Sequence, residues 1–397
     1  MGLLLIAEVA LSRTVDPVTF GEYQFVRQML PMLVAATIFG VDQALTRMIA
    51  EGGSDDLLLP VVWRSGRLWL ILAAPVVACS AYYFGIGLWG CIALAVAPMA
   101  LIASELVAAA LRASGRYSRA ALAQQGYRLF AAVTVLAAAA ISMPSITGVT
   151  ALWLGSAIFG AWSIIHALRT SSRSLRPNRT KMRRLRIMGA GFGISMLPTS
   201  AIDWVDQAAV AYSFGTLAES GHYAAVKLVT VYPFVTLASI LGFVALPEVV
   251  KRASSLNRRV WRTATICTAA ASAAFWCLCS IPLTFMVPVL LGRAVDHSAI
   301  WILCAVGAVR IFYLLPSSVL GAVGTSRQLA TSGFVGILAV GAEAAVILFV
   351  EAADPVVVGG AGLLTATIVR TSVAYFIAGS AVKNAKKSQA EEHVLLS

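Results

Sequence analysis

Charged residues are scarce in this sequence. Asp, Glu, Lys and Arg make up only 12% of the 397 residues, whereas a soluble domain has about 25%. Hydrophobic residues make up 59%, and the mean hydropathy is +0.84. This composition excludes an ordinary soluble protein and predicts a chain that lies mostly in a membrane.

Several motifs for chemistry are also missing. The sequence has no G-x-x-x-x-G-K-[ST] run, so it has no P-loop with which to use ATP. Its six cysteines lack the spacing of a metal site, and we expect them to be small buried apolar residues. The run Gly189–Gly193 begins an apolar stretch and predicts close helix packing rather than nucleotide binding. No polar segment is long enough for a catalytic domain, so we expect neither an enzyme nor a cofactor or metal site.

Apolar runs of about 20 residues, each able to cross roughly 30 Å of hydrocarbon as a helix, fill the chain. The sequence predicts an all-α integral membrane protein with about twelve transmembrane helices. The first, over Met1–Ser12, is too short to span alone, and we expect a short or truncated helix.

A short motif occurs twice. Gly21–Arg27 and Gly221–Lys227 share a glycine, a tyrosine, a valine and a terminal cation at an offset of 200 residues. Each copy opens the second helix of its half, which predicts two six-helix lobes with parallel orientation. We expect an N-terminal lobe (1–168), a basic linker (169–187), a C-terminal lobe (188–380) and a polar tail (381–397).

The distribution of positive charge predicts the orientation. Of the 30 Lys and Arg residues, five lie inside predicted helices, and only Arg13 and Arg293 follow odd-numbered helices. Because positive charge accumulates in cytoplasmic segments, both termini and the linker are expected to be cytoplasmic. The linker has eight basic residues and no acid between Arg169 and Arg186. This pattern between two spans favours contact with anionic membrane lipids over nucleic acid.

Six short runs, spread over both halves, together carry a resemblance to a known family. They are Phe20–Tyr23, Gly40–Arg47, Asp203–Gln207, Tyr212–Gly215, Gly221–Tyr223 and Leu246–Pro247. These runs resemble the O-antigen (Wzx-type) flippases of polysaccharide biosynthesis, which belong to the multidrug, oligosaccharidyl-lipid and polysaccharide exporter superfamily. The resemblance implies a central cavity between the lobes and alternating access. It also implies a polyprenyl-diphosphate-linked oligosaccharide as cargo, such as an O-antigen or exopolysaccharide repeat unit, and a bacterial inner (cytoplasmic) membrane.

Cations inside the helices are the candidate ligands for a diphosphate, since a charge at mid-membrane costs roughly 2.5 to 3.5 kcal/mol and needs a partner. The deepest is Arg310; its alternative role is an ion pair with Glu343 or Glu105. The others could instead snorkel to the surface or bond to neighbouring helices. The predicted cavity residues are Arg310, Arg27, Lys227, Arg128 and Arg370, with Gln124 and Gln125 beside Arg128 on one helix face.

Acids inside the helices are the candidates for ion coupling. Asp203 and Asp206 lie one turn apart, so they need a proton, a cation or a basic partner such as Lys227 or Arg310. Asp42 and Arg47, near the inner end of the second helix, are predicted to form a gate or a pair that stabilises the lobe.

Two other functions remain open at this point. One is an ion-coupled multidrug or toxin antiporter of the same superfamily. The other is a non-transporting membrane scaffold that recruits a polysaccharide polymerase or glycosyltransferases.

Overall fold

The computed structural model describes residues 2–50, 57–84, 86–140, 146–170, 179–251, 256–350 and 354–396. Throughout these ranges the chain forms helices and their connections, which confirms the all-α prediction. The predicted loop at 51–56 and the turn before residue 146 lie outside the described residues, as does the middle of the predicted linker (171–178).

Within the described residues the chain forms fourteen helices, seven in each half. The first half contains α1 (Gly2–Thr14), α2 (Pro17–Ile38), α3 (Val41–Ala50), α4 (Leu58–Phe84), α5 (Leu88–Ala113), α6 (Tyr117–Ala140) and α7 (Ile146–Thr170). The second half contains α8 (Arg179–Ser213), α9 (Leu217–Thr230), α10 (Tyr232–Lys251), α11 (Arg258–Leu291), α12 (His297–Val323), α13 (Ser326–Phe349) and α14 (Pro355–Leu396).

The same helix pairings recur in both halves. In the first half α1 packs on α6, α4 on α5, and α7 on both α5 and α6. In the second half α8 packs on α13, α11 on α12, and α14 on both α12 and α13. Counting α2 with α3 and α9 with α10 as single broken segments gives twelve segments in two equivalent lobes. The predicted duplication is therefore confirmed.

Most of these segments suit a membrane. Among the described residues, nine helices are long and apolar enough to cross one, and the bent α2–α3 pair makes a tenth. The helix α1 is short, and α6 carries polar residues along its length. The chain is thus a multi-pass membrane protein in which α1 is too short and α6 too polar to suit a membrane as the other segments do.

The second segment of the first lobe is broken, whereas the sequence predicted one continuous helix. The axes of α2 and α3 differ by 62°. Phe39 and Gly40 have left-handed φ values of 48° and 73°. A Cβ on Gly40 would overlap the backbone of Gly189 and Gly193 in α8. The bend therefore depends on glycine for its conformation and for this close approach, and the predicted helix-packing role of the Gly189–Gly193 run is confirmed.

Two of the predicted domain boundaries differ from the ends of the helices in the structure. The helix α8 begins at Arg179, inside the predicted linker, because Arg, Lys, Met and Leu after Pro177 are strong helix formers. The helix α14 continues to Leu396 instead of ending at Ser380, since its last part is rich in Ala, Lys, Gln and Glu.

The cysteine prediction was wrong in most positions. Only Cys304 is buried, while Cys79, Cys267 and Cys277 are exposed on the outside of the bundle. Outward-facing positions of a membrane helix contact lipid, so a small apolar side chain fits there without burial in protein.

Candidate functional site

A cavity of about 890 Å³ lies between the two lobes. Its wall is formed by α2, α3, α5 and α6 from the first lobe and by α8, α9, α10, α12, α13 and α14 from the second. All five predicted cations lie on this wall: Arg27, Arg128, Lys227, Arg310 and Arg370. We call this space the cationic cavity.

The first lobe contains a buried group of an acid, a tyrosine and a cation. Arg27 Nε lies 2.7 Å from Glu8 Oε1. The hydroxyl of Tyr23 donates to the same oxygen at 3.3 Å. These three residues, the N-terminal trio, join α1 to α2, and less than a tenth of each is exposed.

The second lobe repeats this group. Lys227 Nζ pairs with Asp206 Oδ2, and the hydroxyl of Tyr223 donates to the same oxygen at 2.7 Å. These three residues, the C-terminal trio, join α8 to α9. The tyrosine and the cation of each trio belong to the repeated sequence motif, whereas the acid comes from another helix. The repeat therefore marks two equivalent ion-pair sites, one in each lobe.

Each trio also contacts the opposite lobe. Arg27 donates to the hydroxyl of Tyr232, and its guanidinium lies 4.5 Å from the centre of that ring. Lys227 Nζ donates to Gln28 Oε1 at 3.4 Å. Both cations are therefore shared between an acid in their own lobe and a neutral acceptor in the other.

The repeated glycines lie at the contact between the lobes. An added Cβ on Gly21 would overlap the backbone carbonyl of Leu217, and one on Gly221 would lie 2.6 Å from the backbone oxygen of Pro17. We call this close contact of α2 and α9 the glycine crossing. It lies about two helical turns along α2 and α9 from Arg27 and Lys227, which line the cationic cavity.

Arg310 is paired within its own lobe. Its NH1 and NH2 atoms donate to the two carboxylate oxygens of Asp203 at 3.0 and 2.6 Å. Lys227 Nζ lies 3.5 Å from the same carboxylate. The Asp203 side chain is 36% exposed and that of Arg310 is 17% exposed, so the pair faces the cavity. The acidic partner of Arg310 is thus Asp203, and not Glu343 or Glu105.

Arg370 lies deeper in the same wall and is 5% exposed. It donates through NH2 to the Ser195 carbonyl at 3.0 Å, to the Tyr313 hydroxyl at 2.7 Å and to the Thr199 hydroxyl. Its Nε is buried without a hydrogen-bond partner among the described residues. All of its acceptors in the described part of the chain are neutral.

Arg128 occupies the first-lobe wall on α6. Its Nε donates to the Tyr127 hydroxyl at 2.9 Å. Gln124 and Gln125 line the same wall, as the helix pattern predicted. Gln124 donates to Glu105 Oε2 at 2.9 Å, and Oε1 of Gln125 is buried with no partner in the described part of the chain.

The other predicted residues are distributed more widely. Asp42 lines the cavity beside the α2–α3 bend and accepts a hydrogen bond from Gln43 at 3.0 Å. Arg47 lies further along α3, where it interacts with another group of the protein. Glu343 on α13 is fully buried, and within the described ranges neither of its carboxylate oxygens has a hydrogen-bond partner. No group of three potential metal ligands occurs in the described residues.

Sequence reasoning missed Glu8 and Tyr232. Glu8 is the one acid in the short first helix, and the rule that an intramembrane charge needs a partner would have selected it. Tyr232 carried no comparable signal, because its role depends on a contact 205 residues away in sequence.

No family model matches the chain, and no curated protein matches it. Solved structures do. A multidrug resistance MATE family transporter of the MOP superfamily is similar in its inward-facing and its outward-facing conformation, each at a TM-score of 0.62 and 14% identity. The inward-facing match covers 97% of this chain and 95% of that one, and the outward-facing match covers 98% and 99%.

A MOP superfamily transporter from Pyrococcus furiosus, whose reverse binding-pocket polarity is said to suggest a different function, is also similar. The TM-score is 0.60 at 14% identity, over 97% of this chain and 99% of that one. The chain therefore has the fold of these transporters over nearly its whole length.

Proposed function

We propose that this protein is a transporter that moves a polyprenyl-diphosphate-linked oligosaccharide across the bacterial inner membrane by alternating access. The cationic cavity is the observation that carries the proposal. Its wall holds six Lys and Arg side chains and three Asp and Glu side chains. An excess of cations at low dielectric favours an anionic cargo, and a diphosphate suits the planar donors of arginine.

Alternating access is supported by the two-lobe architecture. The contacts between the lobes at the glycine crossing involve backbone approach and two shared cations, so they can separate without unfolding either lobe. A protein of the same fold has been captured facing inward and facing outward. In our proposal the termini are cytoplasmic, and the glycan passes through the cavity while the polyprenyl tail stays in lipid.

We further propose two kinds of partner. The basic segment 169–187, which includes the start of α8, would contact anionic lipid headgroups, which attract clustered Lys and Arg beside a membrane. A polysaccharide polymerase or glycosyltransferases would receive or supply the cargo.

Complementation of a flippase-deficient strain tests the proposal. Single alanine substitutions at the five cavity cations are expected to reduce surface polysaccharide, because each removes a positive charge from the wall. The control is Arg67→Ala on α4, since Arg67 lies over the Trp63 ring at 4.8 Å and not on the cavity wall. Full polysaccharide in all five variants would contradict an anionic cargo in this cavity.

The second candidate is an ion-coupled drug antiporter. The observation that favours it is the fully buried Glu343, whose oxygens have no hydrogen-bond partner in the described part of the chain, in the same lobe as Asp203 and Asp206. For an antiporter, Asp203→Asn or Asp206→Asn should abolish drug export, whereas Arg310→Ala should not. For a scaffold that only recruits enzymes, all of these charge changes should be tolerated.

A further inference from the structure

The five cavity cations differ in whether an acid already neutralises them. Among the described residues, Arg27 pairs with Glu8 and Lys227 with Asp206. Arg310 holds both oxygens of Asp203. A guanidinium or ammonium in such a pair has less charge to offer a ligand, and freeing it would leave a buried carboxylate unpaired.

Arg370 and Arg128 remain. In the described part of the chain neither has a carboxylate within ion-pair distance; the bonds they donate go to hydroxyl and carbonyl oxygens. Neutral acceptors satisfy donors but supply no negative charge within ion-pair distance, which is costly for a cation in a low-dielectric interior. Arg112 is the remaining cation on the wall, and it already interacts with another group of the protein.

The surroundings of both arginines indicate a ligand. Nε of Arg370 is a buried donor with no hydrogen-bond partner among the described residues, and 5% of the residue is exposed. Beside Arg128, Oε1 of Gln125 is a buried acceptor that likewise has no described partner. Buried polar atoms are rarely left unbonded, so an anion with hydroxyl groups nearby would fit this wall.

We propose that Arg128 and Arg370, one from each lobe, are the phosphate-binding residues of the cationic cavity, and that Arg27, Lys227 and Arg310 serve as ion-paired supports. This inference rests on the proposed anionic cargo. It places one phosphate-binding side chain on each lobe, both on the wall of the same cavity.

The test measures binding to the purified full chain in lipid nanodiscs. Two probes are used: geranylgeranyl diphosphate, which has a diphosphate head and a prenyl tail, and inorganic pyrophosphate, which has the head alone. We expect Arg128→Gln and Arg370→Gln each to weaken binding of both probes by about tenfold or more, the effect of losing a charged hydrogen bond. Arg370→Lys and Arg128→Lys keep the charge and replace any glutamine variant that does not purify; we expect a smaller loss from them.

The matched control removes both members of an ion pair, whose charges cancel. Arg310→Gln with Asp203→Asn leaves the net charge of the cavity unchanged, and we expect a clearly smaller loss of affinity than from Arg370→Gln. Arg27→Gln with Glu8→Gln provides the same comparison at the N-terminal trio. A loss in either pair as large as that in Arg370→Gln would overturn the assignment.

The outcomes separate this inference from the proposed function. Binding that depends on Arg128 and Arg370 supports both. Binding that survives all four single substitutions at these positions overturns the inference and leaves the anionic cargo standing. Binding of the prenyl probe with no competition from pyrophosphate overturns the phosphate-binding role of the two arginines. Absence of binding by the parent protein overturns the proposed cargo and the inference with it.

Discussion

Replacement of Gly21 or Gly221 by alanine is expected to hold the lobes apart at the glycine crossing. The added Cβ at Gly21 would overlap the Leu217 carbonyl, and at Gly221 it would lie 2.6 Å from the Pro17 carbonyl oxygen. Both obstacles are backbone atoms, so no side-chain rotation relieves them. Overpacking of this kind costs about 1 to 3 kcal/mol, which corresponds to a shift of roughly five- to 150-fold in the balance between closed and open lobes.

Pulsed electron paramagnetic resonance can measure this shift. Spin labels at Val18 and Tyr212, which are exposed on opposite lobes, report the separation there. We expect a single short distance in the parent protein and a longer, dominant distance in Gly21→Ala and Gly221→Ala. Under the proposed function, surface polysaccharide should fall in the same variants, because lobes held apart at the glycine crossing would not complete an alternating-access cycle.

Two other glycines provide the control. A Cβ at Gly66 on α4 or at Gly341 on α13 would meet nothing within 4 Å. Gly66→Ala and Gly341→Ala should therefore keep the parent distance. An unchanged distance in Gly21→Ala and Gly221→Ala would show that the crossing does not set the arrangement of the lobes.

The glycine crossing also illustrates what the sequence could predict. Composition and apolar runs were sufficient for the twelve segments, and the repeated motif for the duplication, since each is a pattern in the sequence itself. The repeated motif located Gly21 and Gly221 at equivalent positions in their lobes. It could not reveal that the two copies contact each other, because that contact depends on how two separate lobes dock.

The same limit applies to the cavity. Helix spacing placed Gln124, Gln125 and Arg128 on one wall, and the structure has all three there. Which acid pairs with Arg310 depends on side chains 107 residues apart. The bend at Phe39 and Gly40 was missed because a glycine in an apolar run suits helix packing as well as a break.

Removal of Asp206 is expected to destabilise the C-terminal lobe strongly. Asp206 is fully buried and Lys227 is 3% exposed, so Asp206→Leu removes the carboxylate that both the Lys227 ammonium ion and the Tyr223 hydroxyl use. Lys227 then keeps only the Asp203 carboxylate, 3.5 Å away, and neutral oxygens as acceptors among the described residues. Breaking one side of a buried pair costs about 3 to 5 kcal/mol. Thermal unfolding in detergent should show a clear loss of melting temperature, and Lys227→Met alone should also be destabilising.

The double variant Asp206→Leu with Lys227→Met should recover much of the lost stability, since two apolar side chains of similar size replace the whole pair. Glu8→Leu with Arg27→Met is the equivalent double change in the N-terminal trio, and the two should behave alike if the trios are equivalent. Double variants that are no more stable than the single variants would contradict this expectation. They would show that the lost stability does not come from leaving one member of the pair without its partner.

Transport by the double variants then separates stability from mechanism. Lys227 donates to Gln28 and Arg27 to Tyr232, and each of these contacts joins the two lobes. A stable double variant lacks its contact, so we expect it to fold normally and to transport poorly, with the spin-label distance shifted toward the open arrangement. Normal transport by both double variants would mean that transport does not depend on these two contacts.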